Sequence, residues 1–248
     1  MFRVRRCNAS MAYFCNEYGR GQRVVGFIAT PVASAQQSLN LYLGGFVPTS
    51  LDARGTTTNG LSNDVLVRDL DFLDYRFGRF TAPTVGGEWL VALGDSFDAG
   101  LGLGFYQRSV PAVDANFVNA NGSEVVSNLK LRIVPFTATV RWLPAGHNAP
   151  LQPYVGAGVG VFAYRYSESG QFVDPTDQSV FSGTFVGTGS ATGPVVLGGI
   201  RAPVGRTAVG FEVRYQKARG TLPTDQEFAG SQIDLGGMNY LFTFNIGF

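Results

Sequence analysis

A hydroxyl or carboxylate becomes a nucleophile at neutral pH only beside a suitable base, and histidine is the side chain that most often supplies one. The chain has a single histidine, His147, set in Pro144-Ala145-Gly146-His147-Asn148. That Pro/Gly/Asn punctuation marks a solvated turn, so no Ser–His or Asp–His machinery is assembled around it. Asp64, Asp69, Asp71 and Asp74 are close enough to suggest calcium, but they lack the D-x-D-x-D-G order of a dedicated loop. Val65, Leu66, Leu70, Phe72 and Leu73 interleave them, alongside Arg68, Arg76 and Arg79. The segment therefore reads as a short packed element with its charges in water. Gly156, Gly158 and Gly160 alternate within an extended run, whereas a nucleotide fingerprint needs a turn into a helix. Asn121-Gly122-Ser123 reads as a loop tip. No catalytic residue, cofactor or metal ligand is assigned.

The elements behind these residues are extended. Of 248 residues, 33 are Gly and only 15% are charged. Such a composition suits neither disorder nor a bundle of membrane helices. Arg20 and Arg23 precede the apolar run Val24–Val32, which ends in Ala33-Ser34-Ala35. This pattern predicts a signal peptide over 1–35, cut before Gln36, with a true start downstream of Met1. Cys7 and Cys15 fall within it, leaving residues 36–248 without a thiol and with a small acidic excess. A nucleic-acid partner is not suggested.

Eight runs in 36–248 alternate in side-chain character with the period of a strand: Ser38–Phe46, Thr84–Leu93, Phe97–Gln107, Asn128–Trp142, Pro153–Tyr166, Thr192–Arg201, Thr207–Gln216 and Met238–Phe248. In the fourth, Leu129, Leu131 and Ile133 share one face before Phe136, Ala138, Val140 and Trp142 take it over, which predicts a bulge at Pro135. The sixth is extended, with faces the pattern does not assign. Short connections (94–96, 143–150, 202–205) alternate with long ones (47–83, 108–127, 167–189, 217–233). Periplasmic turns and extracellular loops of a membrane barrel have this asymmetry.

A soluble barrel would also alternate, with the opposite sense. Here the non-apolar face is Gly, Asn, Thr, Ser and single charges, which suits a narrow interior. Tyr240, Phe242, Phe244, Ile246 and Phe248 would overfill that interior but form a lipid-facing band outside. The predicted fold is all-β, an eight-stranded antiparallel up-and-down transmembrane β-barrel over 36–248.

The closing Leu241-Phe242-Thr243-Phe244-Asn245-Ile246-Gly247-Phe248 resembles the terminal sorting strand of bacterial outer-membrane proteins. Gln152–Gly160 and Gly87–Asp95 resemble strands of small barrels of the OmpA, OmpX and OmpW kind. The resemblance implies an outer-membrane location, contact with its lipid, and insertion by the barrel-assembly machinery. It implies no single activity, since such barrels serve varied roles. The expected function is a monomeric structural or ligand-interacting protein whose surface loops meet an extracellular ligand. A narrow solute channel and, behind it, a lipid-modifying enzyme are the alternatives. Counting residues up from the short turns brings Glu88, Arg132, Glu212 and Arg214 inside near mid-barrel, where two carboxylates and two guanidiniums would pair and block passage, or, if the strand stagger sets them apart, each would meet trapped water and pair with nothing.

Overall fold

The computed structural model describes residues 36–174 and 176–248. The leader expected over 1–35, with both cysteines, lies outside the described residues. The barrel strands are β1 (Gln37–Pro48), β2 (Ala82–Leu93), β3 (Phe97–Val118), β4 (Glu124–Trp142), β5 (Gln152–Val173), β6 (Val180–Val204), β7 (Thr207–Gln216) and β8 (Gly237–Gly247). Each pairs antiparallel with the next, and β8 returns to β1, so the ring has no free edge at the level of the apolar belt. The fold is an eight-stranded up-and-down barrel. Following partners once round from Ser38 through Leu90, Gly100, Thr139, Gly158, Val195, Gln216 and Gly237 returns to β1 at Pro48 rather than Ser38. That stagger tilts the strands and sets a bore that side chains can fill.

The exterior carries Leu39, Leu41, Leu43, Trp89, Leu101, Leu103, Phe136, Val140, Val155, Val159, Phe211, Phe242 and Phe244, all exposed. In β6, Val196 and Ile200 face out while Val195, Leu197 and Arg201 face in, which assigns the faces of that strand. A belt of large apolar side chains around a polar bore is stable only with lipid outside.

Two of the expected long loops are largely strand. β3, β4, β5 and β6 run 19 to 25 residues, well beyond the belt, whereas β1, β2, β7 and β8 stop at 10 to 12. Their tips are the tight turns at Asn119–Ser123 and Asp174–Ser179. Above the lipid, water surrounds the wall, so apolar residues turn inward and polar ones outward. The alternation continues there, with the chemistry of its two faces exchanged.

The same exchange removes the expected bulge at Pro135. In β4, Val125, Ser127, Leu129, Leu131, Ile133, Thr137, Thr139 and Arg141 are all buried, a row of odd positions that keeps its phase on both sides of the half-buried Pro135. Leu103 pairs with Phe136 and Tyr106 with Ile133, so register is kept across the proline, and the irregularity lies between Val113 and Val118. A proline lacks the N–H for a rung, which interrupts the ladder without making it slip.

The upper bore is filled by protein. The 49–81 connection folds inward around one α-helical turn, α1 (Val65–Arg68), with short 3-10 turns on either side. Val65, Leu66, Tyr75 and Phe80 from this segment pack with Leu222, Ile233 and Leu235 from 217–236. Together they meet Leu129, Leu131, Ile133, Phe162, Tyr164 and Tyr166 from the walls in one apolar core. The element expected over the mouth is there, but Asp64 and Asp69 are buried rather than solvated.

Candidate functional site

Three inward-facing polar groups stack along the bore beneath and within this plug. The middle one is an ion quartet at the level of the apolar belt. The alternation of β2 and β7 turns Glu88, Glu212 and Arg214 inward, and all three are buried. Arg214 donates from Nη2 to Glu88 Oε2 at 3.1 Å and to Glu212 Oε1 at 2.7 Å, and from Nε to the same Glu212 oxygen at 3.0 Å. The fourth member is Arg141, which bridges Glu88 and, at 2.9 Å, Glu212 Oε2. Thr139 Oγ1 donates to Glu88 Oε1 at 2.7 Å and the Tyr154 hydroxyl to Glu212 Oε2 at 3.0 Å. The guanidinium carbons of Arg141 and Arg214 lie 5.0 and 5.3 Å from the ring centroids of Tyr154 and Tyr42.

Space for the quartet comes from glycine. A Cβ on Gly100 would sit 2.5 Å from Glu88 Oε1 and 2.8 Å from Thr139 Oγ1. The inward Gly row of β3 thus leaves room for charged side chains from its neighbours.

The structure brings together Glu88, Glu212 and Arg214 of the four residues chosen from sequence; Arg132 is elsewhere. It is exposed on the outer wall, directly opposite Arg165 of β5. The assumed phase change at Pro135 had turned it inward. Without that change Arg132 shares the outer face with Phe136, and the inward arginine of β4 is Arg141. The signal for Arg141 was present, since it is in phase with Thr137 and Thr139 and opposite to Val140 and Trp142.

Below the quartet, near the short turns, His147 Nε2 lies 2.7 Å from Asp98 Oδ1, and Nδ1 lies 2.8 Å from the Asp95 carbonyl. Arg201 reaches Asp98 Oδ2 at 3.1 Å and donates to Gln152 Oε1 at 2.6 Å. These residues line an opening of about 350 Å³ that also touches Asn245 and Phe248. His147 lines this opening together with Asp98 and Ser38, and its ring nitrogens are engaged by Asp98 and the Asp95 carbonyl.

Above the quartet, the plug is tied by charge. Arg54 donates from Nε to Asp64 Oδ1 at 2.9 Å and from Nη2 to the Asp234 carbonyl at 2.8 Å, while Asp64 Oδ2 accepts from the Asp234 N–H at 2.6 Å. The Tyr166 hydroxyl donates to Asp69 Oδ2 at 2.8 Å. Burial raises the Asp69 carboxyl well above its ordinary range, and the nearby Glu168 adds to the rise. Burial also pushes Glu168 up to about 7. Among the described residues no group of three or more His, Cys, Asp or Glu is placed to hold a metal ion.

No family model matches the sequence, and no curated protein matches it. Solved structures do match in shape. The outer membrane protein OprG from Pseudomonas aeruginosa is 14% identical, with a TM-score of 0.51 over 87% of this chain and 97% of that one. Neisserial surface protein A is 10% identical, at a TM-score of 0.45 over 86% and 97%. The outer membrane protease OmpT from Escherichia coli is also 10% identical, at 0.43 over 87% and 98%. At these identities the likeness is one of fold, that of the bacterial outer-membrane barrel.

Proposed function

We propose that this outer-membrane barrel is a closed anchor that holds a ligand-interacting β-wall above the lipid, rather than a pore. The observation that carries the reading is double obstruction of the bore. A neutral quartet of two carboxylates and two guanidiniums spans it at belt level, and a packed apolar plug fills it above. The long extensions of β3 to β6 then provide the surface that a ligand would meet. The protein acts as a monomer in this reading, exported through the 1–35 leader and inserted by the barrel-assembly machinery acting on β8.

A narrow channel is the second reading, favoured by one observation: the quartet is made of side chains alone, which can rearrange without moving the backbone. A lipid-modifying enzyme has less support, because His147 lies at the end of the bore opposite the wall and is engaged with Asp98. Single-channel recording in planar bilayers separates the first two. The closed anchor gives no discrete steps with the wild-type protein or with Arg214→Ala, in which the packed plug still fills the bore above the quartet. Regular steps from wild type would establish the channel instead.

A further inference from the structure

Arg132 on β4 faces Arg165 on β5 as a direct cross-strand pair on the outer wall, and Lys130 lies one outward position above Arg132. Like charges opposite one another in a sheet are destabilising unless an anion lies between them. Among the described residues, none of the three side chains makes an ion pair or hydrogen bond. Their outward neighbours are Gln107 and Ser109 on β3, Ser167 on β5 and Thr188 on β6. None of these is acidic, and the outward carboxylate of β4, Glu124, is at the far start of the strand. The cations stand at the upper border of the belt, where outward chemistry changes from Phe136 and Val161 to Arg132 and Arg165.

Directly below, the same strands carry a lipid-facing groove of about 400 Å³. Its small residues are Ala99, Ala138 and Ala157, set around Val140 and beside the larger Trp89, Leu101 and Val159. Alternating small and large outward residues make a furrow rather than a smooth belt. The groove lies six to eight residues below the arginines, roughly 20 Å of strand. Strand tilt reduces this to about half the hydrocarbon thickness of a bilayer.

The geometry points to a specific lipid site on the β3–β5 face: Arg132, Arg165 and Lys130 bind the phosphate of an anionic outer-leaflet glycolipid, and the alanine furrow seats one of its acyl chains. Phosphate suits the arginine pair because each planar guanidinium can donate two parallel bonds to it. The hydroxyls of Ser109 and Ser167 are placed beside the headgroup for its sugar. Occupancy converts the repulsion between the arginines into shared attraction to one anion.

The test uses full-length processed protein in phosphatidylcholine nanodiscs containing a small fraction of bis-phosphorylated lipid A. Binding is read by native mass spectrometry, and unfolding temperature by the heat-modifiable gel shift. Wild type should retain the phosphorylated lipid through detergent washing and lose it when the lipid is dephosphorylated. Arg132→Gln/Arg165→Gln should bind roughly thirtyfold more weakly, the effect of removing two cations at headgroup level. In pure phosphatidylcholine the same double variant should unfold at a higher temperature than wild type, since the repulsion is gone. Lys217→Gln, on another face, should change neither measurement. Equal retention of phosphorylated and dephosphorylated lipid A by wild type would overturn the site without reference to any variant. So would competition to completion by millimolar inorganic phosphate alone, because the furrow would then contribute nothing.

Discussion

Arg214 donates to both lumenal carboxylates, so its loss leaves two buried acids short of a donor. Removing one partner of a buried pair typically costs about 3 to 5 kcal/mol, whereas the intact pair adds little over an apolar substitute. Arg214→Ala and Arg141→Ala should therefore each lower the unfolding free energy of detergent-folded protein, read from urea titration, by an amount in that range. Glu212→Gln, which keeps shape and leaves Glu88 for both arginines, should cost less. Wild-type-like unfolding of all three would remove the quartet from the account of stability. The plug offers a titration instead. Asp69 and Glu168 have raised folded pKa values, chiefly from burial, so the folded plug holds protons that an unfolded carboxyl would release. Stability from Glu168 is thus fully present below its ordinary value of 4.5 and is lost as pH rises through about 7. Limited proteolysis of the 49–81 segment should accelerate across that window, by a weakening on the order of 3 kcal/mol. Glu168→Gln should flatten the profile, and an unchanged profile in that variant would assign the dependence to other groups.

Among the elements, β8 has the most demanding position. It pairs along its length with both β1 and β7, and the Phe248 N–H reaches the Gln37 carbonyl at 3.0 Å. Tyr240, Phe242, Phe244, Ile246 and Phe248 face the lipid side as one row. Deleting Phe248 should lower the fraction of protein in the heat-modifiable folded form, measured by gel shift after expression in a Gram-negative host. Full recovery would separate the last residue from sorting. The strand faces of β1, β2, β7 and β8, and of the lower part of β3, were legible because each of these stretches sees one environment. β4 was not, because it crosses from lipid into water. Leu131 and Phe136 are both apolar, yet one is inside and the other outside, and periodicity alone reads their shared character as a shared face. Arg132 was misplaced for that reason. The lengths of β3, β5 and β6 were underestimated similarly, since the polar and small residues on the outside of water-exposed strands resemble a loop. Arg54 and its buried partners depend on contacts between segments 180 residues apart, which no local pattern records.

At the scale of the molecule, two barrels of opposite polarity are stacked end to end: an inside-out ring in lipid, and above it a partly open wall with an ordinary apolar core. The lower part makes the protein a membrane resident, and the upper part is presented to the surroundings. Export must precede both, and terminal sequencing of protein recovered from the outer membrane should find Gln36 or a residue next to it at the amino terminus. Recovery of chains retaining Cys7 and Cys15 there would refute the leader. The quartet also bears on the order of events during assembly. Its acids and bases come from β2, β4 and β7, so the first four strands alone bring Glu88 and Arg141 together, while Glu212 and Arg214 arrive near the end of the chain. A sheet that enters the bilayer before it curls shut would turn these charges toward hydrocarbon on one side, with only half of their counterions in reach. The penalty falls on every half-built intermediate and vanishes at closure, so the bore's charges make insertion all-or-none and select for strands that meet as a ring before they meet the lipid.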